Sequence, residues 1–373
     1  MIIFLAALLI LMLFAAQRML YARFWEKGVA VFLEFERELA APGEETFLLE
    51  QIENRKVLPL PSLKVKFQCS RYLQFGSSKS GAVTDQYYRN DFFSIMGHKR
   101  ITRTHRITCL RRGYYSINGI DLVGADLFFT KEMHAERESG AQLYVRPASV
   151  RFEGLREALS RISGDVPVRN HELEDPFTFR GIREYQPYDQ WKQINWKATA
   201  KTDELKVNVR DHTQIPGIRI FMNLEDRGIL RREELQELCI SLCREICEIL
   251  LAQGIRIWVY GNGEDVLTGE TTNLEGLTGY GSMAEVDKAL ARIDLEKPVL
   301  EFGKCFSAKL TESNPPMTLF LSADRHQEFT EALCRYRKEQ GESFYWLCPV
   351  LRAEEEKEEK ALEGRMVFIR QEA

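Results

Sequence analysis

The 373-residue chain lacks the short motifs that usually mark catalysis. It has no GxGxxG after a strand, no phosphate-cradling P-loop, no HExxH and no GxSxG. Their absence removes the commonest dinucleotide, nucleotide-triphosphate, zinc-protease and serine-hydrolase chemistries. A hydrolase built from carboxylates far apart in sequence stays open. None of the eight cysteines forms a CxxC pair, and no two of the six histidines have ligand spacing. An excess of one charge is also missing: 51 Lys+Arg against 55 Asp+Glu gives −4. At 45% apolar and 28% charged residues, the composition excludes wholesale disorder, a collagen-like fibre and a polytopic membrane protein. At about 150 residues per domain, the length suggests two or three domains.

The balanced total hides an asymmetry. Residues 1–150 carry 20 Lys+Arg and 15 Asp+Glu, net +5, and residues 151–373 carry 31 and 40, net −9. Met1 to Ala16, MIIFLAALLILMLFAA, holds no charge. Continued to Leu20 as a helix, it reaches about 30 Å, roughly one bilayer core. Arg18 then snorkels at the interface, and Tyr21, Phe24 and Trp25 form an aromatic belt. A cleaved signal peptide is the rival. It wants a basic residue before the apolar run and a small-x-small cleavage site, and Phe14-Ala15-Ala16 is a poor match. Residues 1–25 are therefore expected to be an uncleaved single-pass anchor. Arg18, Arg23 and Lys27 follow it, so the rest of the chain is expected in the cytoplasm, on the inner (cytoplasmic) membrane.

Residues 26–150 show short alternating segments such as Leu63-Lys64-Val65-Lys66-Phe67, separated by turn residues. This pattern reads as an all-β sandwich. Six basic residues between Lys99 and Arg112 suggest an anion-binding stripe for lipid or nucleic acid, or the solvated face of a strand. No aromatic residue interleaves with them from His98 to Gly113, so nucleic acid is not expected. Cys239, Cys243 and Cys247 share one helix face. They read as small core residues, since no histidine in that helix completes a metal site.

Residues 151–213 are dense in charge and aromatics, with no apolar run before Leu205-Lys206-Val207. An irregular arm is expected, serving as internal scaffold or as docking surface. Here a resemblance becomes specific. Arg183-Glu184-Tyr185-Gln186-Pro187, Asp189, Ile194-Asn195-Trp196-Lys197-Ala198-Thr199-Ala200, Leu205 and Val207 resemble the signature of the bacterial domain-of-unknown-function 58 family. So do Arg111-Arg112-Gly113-Tyr114-Tyr115, Asp126-Leu127-Phe128 and Val145-Arg146-Pro147. The chain departs from that signature at Tyr188, Asn195 and Lys201, and its Asp126 turn lacks the family's Pro-Phe-Gly.

Residues 214–351 alternate strands and helices, which argues a mostly parallel sheet. The expected elements include a strand at 218–223, a helix at 232–253 stopped by Gly254, and a strand at 255–260. The resemblance implies a von Willebrand factor A-like (Rossmann-like) α/β domain. That fold often carries a D-x-S-x-S metal motif after its first strand, but here the run is Asn223-Leu224-Glu225-Asp226-Arg227. No cofactor is expected. A residual oxygen cluster of Asn223, Glu225 and Asp324 would suit Mg²⁺ or Ca²⁺; as caps and turn formers the same residues need no ion. Residues 352–373 read as a charged tail with a final short strand.

The resemblance implies a non-enzymatic interaction module: a partner of a MoxR-type AAA+ ATPase that assembles or matures other proteins or envelope-associated complexes. The expected docking residues are Arg180, Arg183, Tyr185, Asp189, Trp196 and Lys197. The alternative is a membrane-bound metal-dependent hydrolase using Asn223, Glu225 and Asp324.

Overall fold

A computed structural model describes the chain except residues 77–80, 84–85, 166–178, 187–190, 192–193, 203, 211–216, 229–231, 311–316, 342, 352–361, 363 and 373. The uncharged N-terminal run, free of Gly and Pro, forms one helix, α1 (Ile2–Phe24). It is long and apolar enough to cross a membrane. The chain then divides into two compact units.

The first unit holds residues 1–150 with 263–272 and 284–299. Its strands are β1 (Val29–Phe35), β2 (Leu39–Ala40), β3 (Glu45–Asn54), β4 (Leu60–Ser70), β5 (Leu73–Phe75), β6 (Gly81–Val83), β7 (Gln86–Ile95), β8 (Lys99–Cys109), β9 (Gly113–Ala125) and β10 (Glu132–Val145). They form two sheets, β1-β3-β8-β5 and β2-β10-β9-β4-β7-β6. Along β3 buried and half-buried residues alternate, as a strand with one face on a core requires. Leu48, Ile52 and Ile107 from one sheet share a core with Val65, Phe67, Leu122 and Leu143 from the other. This is the β-sandwich expected from period-two patterning.

The second unit holds residues 151–262, 273–283 and 300–373. It opens with α2 (Leu155–Asp165), β11 (Phe179–Glu184), α3 (Trp196–Thr202) and β12 (Lys206–Arg210). The expected irregular arm is thus corrected in part. Strand β11 pairs antiparallel with β12, placing Arg183 opposite Val207. A two-stranded ribbon needs a paired backbone more than an apolar run, so hydrophobicity alone did not reveal β11.

Next come β13 (Gly217–Asn223), α4 (Glu233–Ala252), β14 (Arg256–Asp265), β15 (Thr271–Leu277), α5 (Met283–Ala291), β16 (Ile293–Asp294), α6 (Phe302–Leu310), β17 (Met317–Ser322), α7 (Gln327–Gln340), β18 (Phe344–Val350) and β19 (Met366–Arg370). The main sheet runs β15-β14-β13-β17-β18-β19, with β16 on β14. Strand β13 pairs parallel with both β14 and β17. Every residue of β13 is buried, which fits a strand covered on both faces. Gly217 is required by close approach: a Cβ there would sit 2.3 Å from Trp258 Cζ3. Helix α4 buries Cys239, Cys243 and Cys247, and all eight thiols are free. Gly254 follows α4 at φ +75°, where a side chain would be strained. The last strand, β19, lies parallel to β18 in this same sheet.

Candidate functional site

The sheet order places a cleft. From β13 the chain moves outward through β14 and β15, then returns to β17 on the other side of β13. The carboxyl ends of β13 and β17 therefore lie side by side at a point where strand order reverses, with Asn223 level with Ser322. Open α/β sheets bind ligands at such points. Here the cleft is shallow and lined by Asn223, Glu225, Asp226, Gln236, Asp324 and His326 among others. The three oxygen donors singled out in the sequence are thus brought together.

Their hydrogen bonds decide what they can do. Asn223 Oδ1 accepts from Asn262 Nδ2 at 2.8 Å and from the Glu225 amide at 3.1 Å. Its Nδ2 donates to Ser322 Oγ at 3.1 Å. Asn262 in turn accepts from the Leu224 amide and donates to the Leu300 carbonyl. Glu225 accepts from the Phe302 amide at 3.2 Å on Oε2 and from Arg227 at 3.3 Å on Oε1. Asp324 Oδ1 accepts from the His326 amide at 3.0 Å and meets the same residue's imidazole. Asp324 therefore forms an Asx-type turn with the residue two positions on. Its Oδ2 is buried with no hydrogen-bond partner among the described residues. A hard divalent cation takes six or more oxygens, with carboxylates supplying the charge. Among the described residues this cleft leaves one carboxylate oxygen, Asp324 Oδ2, without a hydrogen bond, while Glu225 is held by the Phe302 amide and Arg227. The neighbouring Cys239 thiol offers no ligand. Burial first, then Cys243 and Cys348, push its pKa well above the usual thiol value, so it stays protonated.

A second cluster joins the two sheets of the sandwich, and the sequence reading missed it. Glu50 on β3 and His105 on β8 meet at 2.8 Å, and His105 lies 3.7 Å from Asp91 on β7. All three are buried, and their ligand atoms lie within 4.8 Å of one another. One histidine and two carboxylates could hold a zinc-like ion. However, Arg89 contacts both oxygens of Asp91, at 2.5 and 3.4 Å, and Arg103 adds a third contact at 2.8 Å. Both guanidiniums thus hold Asp91, while Glu50 meets His105 on one oxygen and keeps the other, Oε1, buried without a hydrogen bond among the described residues. Strand alternation could have placed Glu50, Asp91 and His105 on inward faces, but no local spacing links them.

The basic stretch from Lys99 to Arg112 is largely paired. Arg100 reaches Glu53, Arg103 reaches Asp91, and Arg106 lies 3.7 Å from Glu45. Arg112 is buried and donates to the carbonyls of Leu290 and Ile293 at 2.8 and 2.9 Å, next to the C-terminus of α5. That is a favoured place for a cation.

The arm divides its signature residues between two jobs. Ile194 is buried and bridges to Val207. Asn195 Oδ1 accepts from the Ala198 amide at 3.0 Å, which makes Asn195 the cap of α3. Thr199 Oγ1 accepts from the Lys206 amide at 3.0 Å. These residues build a platform. Tyr185 is half-buried and packs its ring 6.4 Å from that of Trp191. Trp191 and Trp196 are 69% and 62% exposed, and Leu205 is 40% exposed. Arg183 and Lys197 are exposed. Arg180 lies on β11 with its side chain outside the described set, and Asp189 lies outside the described residues.

No family model matches the chain, and no curated protein matches it. Among solved structures, it is similar to the CARDB domain of a Pyrococcus furiosus protein in complex with di-metal ions, at 13% identity and a TM-score of 0.20. That match covers 31% of this chain and 90% of the other. A non-cellulosomal cohesin from Archaeoglobus fulgidus matches at 11% identity and a TM-score of 0.22, covering 31% and 90%. A type I cohesin–dockerin complex from Clostridium thermocellum matches at 12% and 0.22, covering 31% and 99%. These scores carry no argument about this chain's partners.

Proposed function

We propose that this chain is a membrane-anchored protein-interaction module, held by α1 with its folded units on the cytoplasmic face. We read the second unit as a von Willebrand factor A-like domain whose metal position is filled by amide hydrogen bonds. The partner fitting the family resemblance is a MoxR-type AAA+ ATPase acting in assembly or maturation of protein complexes. The observation that carries the reading is the pair of exposed tryptophans on the arm. Trp191 and Trp196 stand with Leu205 on a platform fixed by Ile194, Asn195 and Thr199. Large aromatics on a rigid support are the usual anchors of an interface, and arginines such as Arg183 orient it.

The test is capture of a purified MoxR-type ATPase by the full chain in detergent or nanodiscs. Replacing both tryptophans by alanine should weaken capture at least about tenfold, as loss of hot-spot residues does. Unchanged capture by a folded double variant would sink the proposal. The metal-dependent hydrolase is the second reading, favoured by the unpartnered Asp324 oxygen alone. It requires saturable metal binding that is lost in Asp324→Ala.

A further inference from the structure

One face of α1 is packed against protein. Phe14, Gln17, Tyr21 and Trp25 recur at helical spacing, and each meets the first unit. The Phe14 ring lies 5.6 Å from the Phe128 ring. Gln17 donates to Asp126 Oδ2 at 3.2 Å, and the Tyr21 hydroxyl donates to the Pro59 carbonyl at 3.0 Å. Trp25 lies so close to Gly124 that a Cβ there would sit 2.4 Å from its ring. The loop between β9 and β10 thus runs alongside the helix. Its tip is Leu127-Phe128-Phe129, exposed at 48%, 57% and 65%. Phe129 holds a φ of 58°, rarely adopted by a bulky residue. Three successive large apolar residues left uncovered on a folded unit mark an interaction surface.

The helix length says what covers them. A membrane span takes about 20 residues, and α1 has 23. Every 20-residue window within Ile2–Phe24 contains Phe14, at least seven residues from either end. Seven residues at helical rise are about 10 Å. Whichever window spans, Phe14 lies about 10 Å inside the apolar slab, and the Phe128 ring lies beside it. Asp126, next to the tip, is shielded from lipid. It is 1% exposed and accepts from the Thr130 amide and hydroxyl at 2.6 Å each, besides Gln17. We infer that the Leu127–Phe129 loop is a second membrane contact, inserted among the acyl chains of the bilayer that α1 spans and fixing the sandwich against the membrane surface. This rests on the reading of α1 as a membrane span.

The experiment uses the full chain in vesicles of phosphatidylcholine and phosphatidylglycerol. Flotation of the wild type on a density gradient tests the span. Phe128→Trp then adds one emitter, read as the difference from wild type, in vesicles with and without brominated acyl chains. The added emission is expected to be blue-shifted and lost with bromine. Leu127→Trp gives the same reading at a second position, should Phe128→Trp not fold. Added emission that is red-shifted and unquenched in a floating, folded chain overturns the loop insertion and leaves the anchor standing. A wild-type chain that does not float overturns the anchor, and the insertion with it.

Discussion

The two polar clusters solve the same problem in opposite ways. In the sandwich, Asp91 and Arg89 put formal charge between two sheets beside Glu50 and His105, and Arg103 adds a second guanidinium. In the cleft of the second unit, neutral groups dominate: Asn223, Asn262 and Ser322 spend their amides and hydroxyl on one another and on the backbone. Both have the residue types of a metal site, yet in each most of the donors are engaged by the chain itself; among the described residues Glu50 Oε1 and Asp324 Oδ2 are the carboxylate oxygens of these clusters left without a hydrogen bond. Residue type alone therefore does not define a site. The partner each oxygen already has decides what is left for a ligand.

The contrast predicts different sensitivities. Hydrogen exchange on the full chain reads each unit separately, because protection reports local opening. The largest loss is expected for Asp91→Ala, which strands the buried Arg89 guanidinium. Amides of β7 and β8 should lose about 3–5 kcal/mol of protection, the cost of breaking a buried pair from one side. A loss under about 1 kcal/mol would mean that water already solvates the cluster. Asn223→Ala comes next. It leaves the Glu225 amide without its acceptor, and should cost about 1–3 kcal/mol in β13 and β17. An effect as large as that of Asp91→Ala would erase the distinction between charged and neutral networks. Arg183→Ala should be smallest. Its side chain is exposed, so the change in protection should stay within about 0.5 kcal/mol. A larger loss would make it part of the scaffold.

Much of this architecture was legible in the sequence because its signals are local. The uncharged run gave α1, period two gave the sandwich strands, and Gly254 marked the end of α4. The nearness of Asn223 and Asp324 was legible as well, since Asn223 ends β13 and Asp324 follows two residues after β17. The cluster of Glu50, Asp91 and His105 was not, because Glu50 and His105 meet on paired strands 55 residues apart and Asp91 reaches them from the facing sheet. Strand β11 was hidden for a related reason: its pairing with β12, and not its own composition, makes it a strand. The arm's division of labour needed coordinates too. Ile194 and Trp196 look equally apolar in sequence, yet one is buried and the other exposed.

In the proposed reading, internal hydrogen bonds close the cleft to metal and the arm does the docking. Calorimetric titration of the full chain with Mg²⁺, Ca²⁺ and Mn²⁺ tests it most directly, with Asn223→Asp as the comparison. The wild type should show no saturable heat, while Asn223→Asp, with a second carboxylate introduced into the cleft that Asp324 lines, should gain it. Saturable wild-type binding that disappears in Asp324→Ala would contradict the account.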